Sequence, residues 1–318
     1  MEKIIKGLHH VTAIAGHTQE NVDFYKGVLG LRLVKQTVNF EAPEVYHLYY
    51  GDEQGNPGSI LTFFPYNGLA KGRHGNGMLN TTSFSVPLSS LDFWMQRLDR
   101  FDILYKSPQE RFENEIVIYF EDIDGLGLEL VFTDKDERPG IPSDLIDSAH
   151  AIKGIYNVEI WQEGYEPHTT HILTNVLNHE LIAEKGNRFR YAAVDKPGHY
   201  VDIIFASGNQ KGRAGSGTVH HLAFAVESSR AQIELMIKVG QMGLNPTPIL
   251  DRKYFSSVYF REPGGVLFEI ATEAPGFIVD EPIEILGEAL QLPTQFEDRR
   301  EELTTKLPPL TINEEFYK

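Results

Sequence analysis

Two histidine pairs and one carboxylate are the residues best able to do chemistry together. His9 and His10 lie in Leu8-His9-His10-Val11-Thr12-Ala13-Ile14, and His220 and His221 in Val219-His220-His221-Leu222-Ala223-Phe224. Both runs alternate as strands do, and a doublet enters each. Glu269 sits inside Val266-Leu267-Phe268-Glu269-Ile270, which follows a Pro263-Gly264-Gly265 turn. A carboxylate in the middle of an apolar strand is costly unless it is paired or binds a cation. His10 and His221, the second histidine of each doublet, could share that cation. Two imidazoles and one carboxylate form a facial set that suits non-haem iron(II) and leaves positions open for a substrate and O2; manganese(II) is accepted by the same ligands. The chain has no cysteine, so any metal must be held by nitrogen and oxygen. A single histidine at a strand entrance is ordinarily a polar edge residue. The case for a metal rests on two equivalent places matched to one carboxylate. His17, His47, His74, His168, His171 and His179 have no partner at ligand spacing, and solvated or structural roles are expected for them.

The elements that must position these residues repeat four times. Each unit opens with an alternating strand, passes through a helical segment, and closes with a glycine followed four residues later by one particular position. The first unit opens at 8–14, has a helix at 18–25 with Thr18 as its N-cap, and stops near Leu29-Gly30, where glycine suits a C-terminal cap. Strands follow at 46–50 and 59–64. The second opens at 80–86, has a helix at 88–100 and closes at 125–132. The third opens at 155–160, carries a weakly marked helix at 169–177 and closes at 198–205. The fourth opens at 219–221, has a helix at 229–242 and closes at 265–272. The closing positions are Thr62, Glu129, Asp202 and Glu269; the opening positions are His10, Thr81, Asn157 and His221. Their separations of 52, 48, 45 and 48 residues are nearly constant. The expected architecture is α+β: four βαβββ units paired into two curved mixed-sheet half-barrels, each enclosing a cavity. Residues 1–140 and 141–274 would form two domains of two units each. Residues 134–153, rich in Asp, Lys, Pro and Gly, read as the linker between halves, and 275–318 as a tail that wraps the surface, with a short helix near 294–303.

Which units share a cavity decides the chemistry. Sequence order favours pairing neighbours, but that would split the histidines. Pairing one with four gathers His10, Thr62, His221 and Glu269, whereas pairing two with three gathers Thr81, Glu129, Asn157 and Asp202. The first set is a facial metal site with a poor ligand in its fourth place. The second has no imidazole, and Glu129 and Asp202 read as paired polar residues.

The bulk properties bound the partners. At 318 residues with a net charge of −16, the chain does not suit a nucleic-acid or anionic membrane surface. No apolar run approaches 18 residues. Met1-Glu2-Lys3-Ile4-Ile5-Lys6 has no secretory pattern, so a cytoplasmic protein is expected. The expected partners are a small molecule and no nucleic acid or membrane, with a homo-oligomer left open.

The repeated unit, the opening His-Val and His-Leu strands, Phe24-Tyr25 before Leu29-Gly30 and the Glu262-Pro263-Gly264-Gly265 closure resemble the vicinal oxygen chelate superfamily. That superfamily includes glyoxalase I, extradiol dioxygenases and antibiotic-resistance binding proteins. The doubled histidines together with 251–264, Asp-Arg-Lys-Tyr-Phe-Ser-Ser-Val-Tyr-Phe-Arg-Glu-Pro-Gly, are similar to the para-hydroquinone ring-cleaving dioxygenases of the 2,6-dichlorohydroquinone type. The resemblance spans roughly residues 5–305. It implies an extradiol-type, Fe(II)-dependent ring-cleaving dioxygenase acting on a hydroquinone-type aromatic and O2. His10, His221 and Glu269 would be the metal ligands. His9, His220, Arg252 and Tyr259 would line the substrate pocket, with Arg252 and Tyr259 stabilising negative charge and His9 or His220 serving as acid–base. Catechol-cleaving relatives take their ligands from the third and fourth units, which Asn157 disfavours here. Two alternatives stand beside this reading. A glyoxalase-type lyase or isomerase would want a fourth protein ligand where Thr62 stands. A non-enzymatic quinone- or drug-binding protein would need no metal ligands.

Overall fold

Alternating apolar strands need both a partner strand and a covered face, and the chain meets this need with two eight-stranded sheets. The computed structural model describes residues 3–164, 168–312 and 317. The first unit holds β1 (Ile5–Ala15), α1 (Thr18–Val22), β2 (Arg32–Val38), β3 (Tyr46–Gly51) and β4 (Ile60–Pro65); the second holds β5 (Met78–Val86), α2 (Leu91–Arg100), β6 (Gln109–Glu110), β7 (Ile116–Glu121) and β8 (Gly127–Phe132). The third holds β9 (Gly154–Gln162), α3 (His168–Asn175), β10 (Glu180–Lys185), β11 (Arg188–Ala192) and β12 (Tyr200–Phe205). The fourth holds β13 (Thr218–Val226), α4 (Ser229–Gln241), β14 (Leu250–Asp251), β15 (Ser256–Arg261) and β16 (Leu267–Thr272). A final helix, α5, spans Arg300–Lys306.

One sheet runs β14-β15-β16-β13-β1-β4-β3-β2 and the other β10-β11-β12-β9-β5-β8-β7-β6. Units one and four therefore share a sheet, as do units two and three, and each sheet curls into a half-barrel. At the centre of the first, β1 and β13 run antiparallel with Val11 opposite Leu222 and Thr12 opposite His221. Every closing strand lies parallel to its own opening strand. Thr12 pairs with Thr62, Ser83 with Glu129, Glu159 with Asp202 and Ala223 with Glu269. Because strand side chains alternate, the residue two before each opening-strand partner shares the concave face with the closing residue. Those residues are His10, Thr81, Asn157 and His221.

Local features differ from the sequence reading in three places. Thr18 is the first helical residue rather than the N-cap; Asn67 Oδ1 accepts from its backbone N at 3.1 Å and its hydroxyl at 3.2 Å. The helix continues beyond Val22 as a π-helical turn over Asp23–Val28 and ends at Leu29-Gly30 as the sequence reading expects, Gly30 (φ +68°) reversing the chain. The tail does more than wrap the surface. Phe277 is buried against Tyr49, Tyr254 and Phe255, and the buried Lys35 ammonium pairs with Asp280 at 2.7 Å and with Glu281. The 134–153 segment carries no strand or helix, yet Ile146, Ala151 and Ile152 are buried. Among the described residues, no helix is long and apolar enough to cross a membrane.

Candidate metal centre and substrate pocket

The strand pairing brings the three predicted ligands to one point. His10 Nε2 lies 3.2 Å from Glu269 Oε2, His221 Nε2 lies 2.9 Å from the same oxygen, and the two Nε2 atoms are 3.1 Å apart. All three side chains are buried. Thr62, the fourth inward position, is engaged elsewhere, with its hydroxyl 2.9 Å from Thr12 Oγ1 and 2.8 Å from His47 Nε2.

The first histidine of each doublet explains the orientation of the second. His9 Nδ1 lies 2.9 Å from His10 Nδ1, and His9 Nε2 lies 3.2 Å from the Thr272 carbonyl. A carbonyl only accepts, so His9 carries its proton on Nε2 and receives the Nδ1–H of His10. His220 Nδ1 stands 2.7 Å from His221 Nδ1 in the equivalent arrangement. In this network His10 Nε2 presents a lone pair toward the carboxylate, and His221 Nε2 does the same in the tautomer that donates from Nδ1 to His220. Glu269 Oε1 accepts from Ser257, while Glu269 Oε2 accepts no hydrogen bond among the described residues.

Three electron-rich atoms facing one another in a buried cup repel unless a cation lies between them. Two ligands about 2.1 Å from one ion and at right angles to each other stand about 3.0 Å apart, as these atoms do. The residues therefore fit a divalent metal held on one face. The same packing sets the charge states. Burial favours a protonated Glu269, and only positive charge at His10 and His221, or a cation in its place, holds the carboxyl well below its usual range. Burial, helped by His10, pushes the His9 imidazole down to about 3, and burial also lowers His221.

A cavity of about 520 Å³ opens beside His10 and His221. His220, Arg252 and Tyr259 line it, as the sequence reading expects, together with His10 and His221. His9 does not line it, because both of its ring nitrogens are engaged with His10 and Thr272. Arg252 is aimed by three neighbours. Its Nη1 lies 2.8 Å from Glu41 Oε1, and its guanidinium carbon sits 5.3 Å from the ring centres of both Phe40 and Tyr259. Tyr259 pairs with Glu269 across β15 and β16; burial and that carboxylate raise its phenol above the ordinary value, and Arg252 opposes them.

The sequence reading missed His47, which was expected to be a solvated or structural loop residue. It is buried on β3, lines the cavity and bridges Tyr49 OH and Thr62 Oγ1 at 2.8 Å each. Burial holds its imidazole well below the ordinary value. The signal lay in the pairing of β3 with β4. Tyr49 pairs with Thr62 in that register, so His47, two residues earlier, lies on the same concave face. Phe40, Glu41 and Tyr66, on loops at the cavity wall, carry no such period.

The comparisons with known proteins agree with this fold. Residues 7–130 and 167–270 match the Glyoxalase/Bleomycin resistance protein/Dioxygenase superfamily. MhqO of Bacillus subtilis (strain 168), named provisionally as a ring-cleaving dioxygenase, is 41% identical over 314 residues and covers 99% of each chain. The chlorohydroquinone/hydroquinone 1,2-dioxygenase of Sphingobium indicum is 33% identical over 323 residues, covering 97% of this chain and 98% of the relative. A crystal structure of a Bacillus subtilis protein, provisionally a dioxygenase, superposes with a TM-score of 0.93 at 41% identity over 98% of this chain and 100% of that one. Glyoxalase I of Zea mays superposes at 0.65 with 11% identity over 89% and 97% of the two chains, a likeness of fold alone. Concave sheets, their strand order and the sequence match lead to one assignment: the chain belongs to the glyoxalase/bleomycin resistance protein/dioxygenase superfamily.

Proposed function

We propose that the protein is a metal-dependent ring-cleaving dioxygenase acting on a hydroquinone-type aromatic, with Fe(II) as the working ion and His10, His221 and Glu269 as its ligands. The observation that carries this reading is the convergence of His10 Nε2, His221 Nε2 and Glu269 Oε2 at one point, with His10 and His221 also lining a cavity of about 520 Å³. The relationship to the hydroquinone 1,2-dioxygenase supports the substrate class. Thr62, already bonded to Thr12 and His47, is unavailable as the fourth ligand that a glyoxalase-type site would want.

A redox-active divalent ion bound there would supply the electron path between an electron-rich ring and O2. The remaining work falls to the chain. Phe64, Phe255 and Tyr49 line the cavity and favour a flat apolar ring over water. Arg252 brings a fixed positive charge to the cavity wall, suited to a phenolate oxygen as it sheds its proton. His220 lines the cavity beside His221; its Nδ1 accepts from His221, which leaves its Nε2–H as a donor, and we assign it a hydrogen bond to a ring oxygen. His9 is assigned a positioning role, holding His10 in the tautomer that presents Nε2. In the overall reaction one ring C–C bond next to a hydroxyl-bearing carbon breaks. Both oxygen atoms enter the product, leaving a carboxylic acid and an aldehyde.

The test is anaerobic reconstitution with Fe(II), followed by oxygen-electrode assays with hydroquinone, chlorinated hydroquinone and catechol. Stoichiometric O2 uptake with a hydroquinone, in preference to catechol, is expected. Turnover of a thiol hemiacetal without O2 would overturn the reading.

A further inference from the structure

The second half-barrel keeps a cavity where the first has its substrate pocket. Tyr119 pairs with Glu129 across β7 and β8 as Tyr259 pairs with Glu269 across β15 and β16. On β11, Arg190 pairs with Asp202 as Tyr49 on β3 pairs with Thr62, so Arg188 takes the place of His47. Thr81 and Asn157 stand where the first cup has its ligating imidazoles.

In place of an ion, this cup holds three guanidinium groups. Arg111 pairs with Glu129, and Arg188 bridges Asp202 (2.8 Å) and Glu159. Arg190 reaches Asp202 at 2.7 Å and Glu115 at 2.6 Å. These pairs leave one donor over. The Arg111 side chain is only 10% exposed, and its Nη1 is buried with no hydrogen-bond partner among the described residues. An unmade bond from a buried charged donor costs about 1–3 kcal/mol or more. Arg111 lines a cavity of about 230 Å³ whose wall also carries Lys106, Lys185, Arg188, Glu110 and Glu129. Lys106 Nζ is held over the Tyr119 ring at 4.3 Å, and Lys185 Nζ lies 3.5 Å from the Glu110 carbonyl. The cavity wall carries four cations and two carboxylates, with Asp202 and Glu159 behind it pairing Arg188.

We propose that this cavity is a second, metal-independent binding site for a small carboxylate anion, seated against Arg111 Nη1. The two N–H groups of Nη1 offer charge-assisted bonds that carboxylate oxygens satisfy. A phosphate dianion at the same point would face Glu129 with twice the charge. The volume lies below that of drug-sized pockets and suits a ligand of few atoms. The inference does not depend on the ring-cleaving reading, because no residue of the first cup takes part.

The experiment is calorimetric titration of succinate into the protein after its metal has been stripped on a chelating resin, so that no metal centre competes. One saturable site is expected, with a dissociation constant of about 1 mM or tighter. Arg111→Lys keeps a charge for Glu129 but removes the free donor, and should weaken binding about tenfold. Lys185→Met, at an exposed residue on the cavity rim, should weaken it about threefold. Absence of saturation, unchanged affinity in both variants, or inorganic phosphate binding as tightly as succinate would each overturn the proposal. Should Arg111→Lys fail to fold by circular dichroism, Lys185→Met decides alone: unchanged affinity there overturns it.

Discussion

His10 Nε2 and His221 Nε2 stand 3.1 Å apart although 211 positions separate the two residues in the chain. The antiparallel pairing of β1 with β13 closes that distance. Both strands carry a doublet, and His9, anchored on the Thr272 carbonyl, fixes the tautomer of His10. The geometry exposes two lone pairs to one carboxylate oxygen, and the first prediction follows from it.

His10→Ala, His221→Ala and Glu269→Ala should each lose stoichiometric iron and all measurable turnover. Removing one ligand leaves two, too few for a facial site. Elemental analysis after anaerobic reconstitution reads the outcome, and full iron occupancy in any one variant contradicts the ligand set. In the unsubstituted protein, chelation should lower the melting temperature, since a ligand bound only by the folded state stabilises it.

His9→Leu removes the acceptor of the His10 Nδ1–H without touching the cavity wall. Loss of such an outer partner costs about 10–100-fold in metal affinity. His220→Leu should lower the turnover number in addition to weakening the metal. If His9→Leu binds iron as tightly as the parent protein, the tautomer argument fails.

Glu41 and Arg252 form an ion pair at the cavity wall, and the Glu41 side chain is 66% exposed. Such a pair contributes at most about 1 kcal/mol to stability, so Glu41→Gln should leave the melting temperature nearly unchanged. It frees Arg252, however, to meet an acidic ring substituent. Binding of 2,5-dihydroxybenzoate, measured anaerobically, should tighten about fivefold while that of unsubstituted hydroquinone changes little. Equal responses of the two ligands would sink this assignment.

His179 is buried against Phe224, its Nδ1 lies 2.9 Å from the Leu177 carbonyl, and burial pushes its imidazole down to about 4. The folded value lies below the unfolded one of about 6.5, so the unfolded chain binds the proton first on acidification. The associated stability is complete above about pH 6.5 and is lost as the pH falls toward 4. Between pH 7 and 5 this residue should cost about 2 kcal/mol. His179→Leu should flatten that part of the stability profile in chemical denaturation; an unchanged slope would falsify the assignment.

Much of the fold was legible because strand alternation and turn chemistry are local. Gly265 adopts φ +115°, where an added Cβ would meet the Gly77 carbonyl at 3.0 Å, so a glycine in that turn marks the closing strand. Glu262 accepts from the Gly264 and Val266 backbone and caps the same turn, as Asp122 does for Asp124 and Leu126 in the second unit. β2 went unnoticed because its residues, Arg32–Val38, are buried almost throughout and show little polar alternation. The part of the tail that packs against Tyr49 and Lys35 could not be foreseen, because Phe277 and Glu281 find their partners only in the folded molecule.

By itself, the sequence determined the four repeats, the inward positions of each and the type of side chain standing at those positions. Those properties follow from periods of two and from glycine turns within a few residues. The tertiary structure decided that units one and four share a sheet, which puts His10 and His221 in one cup. It also decided that His47 faces the cavity, that Glu41 holds Arg252, and that arginines fill the second cup. Each of these depends on register between strands distant in the chain, and a shift of one residue would turn every such side chain to the opposite face.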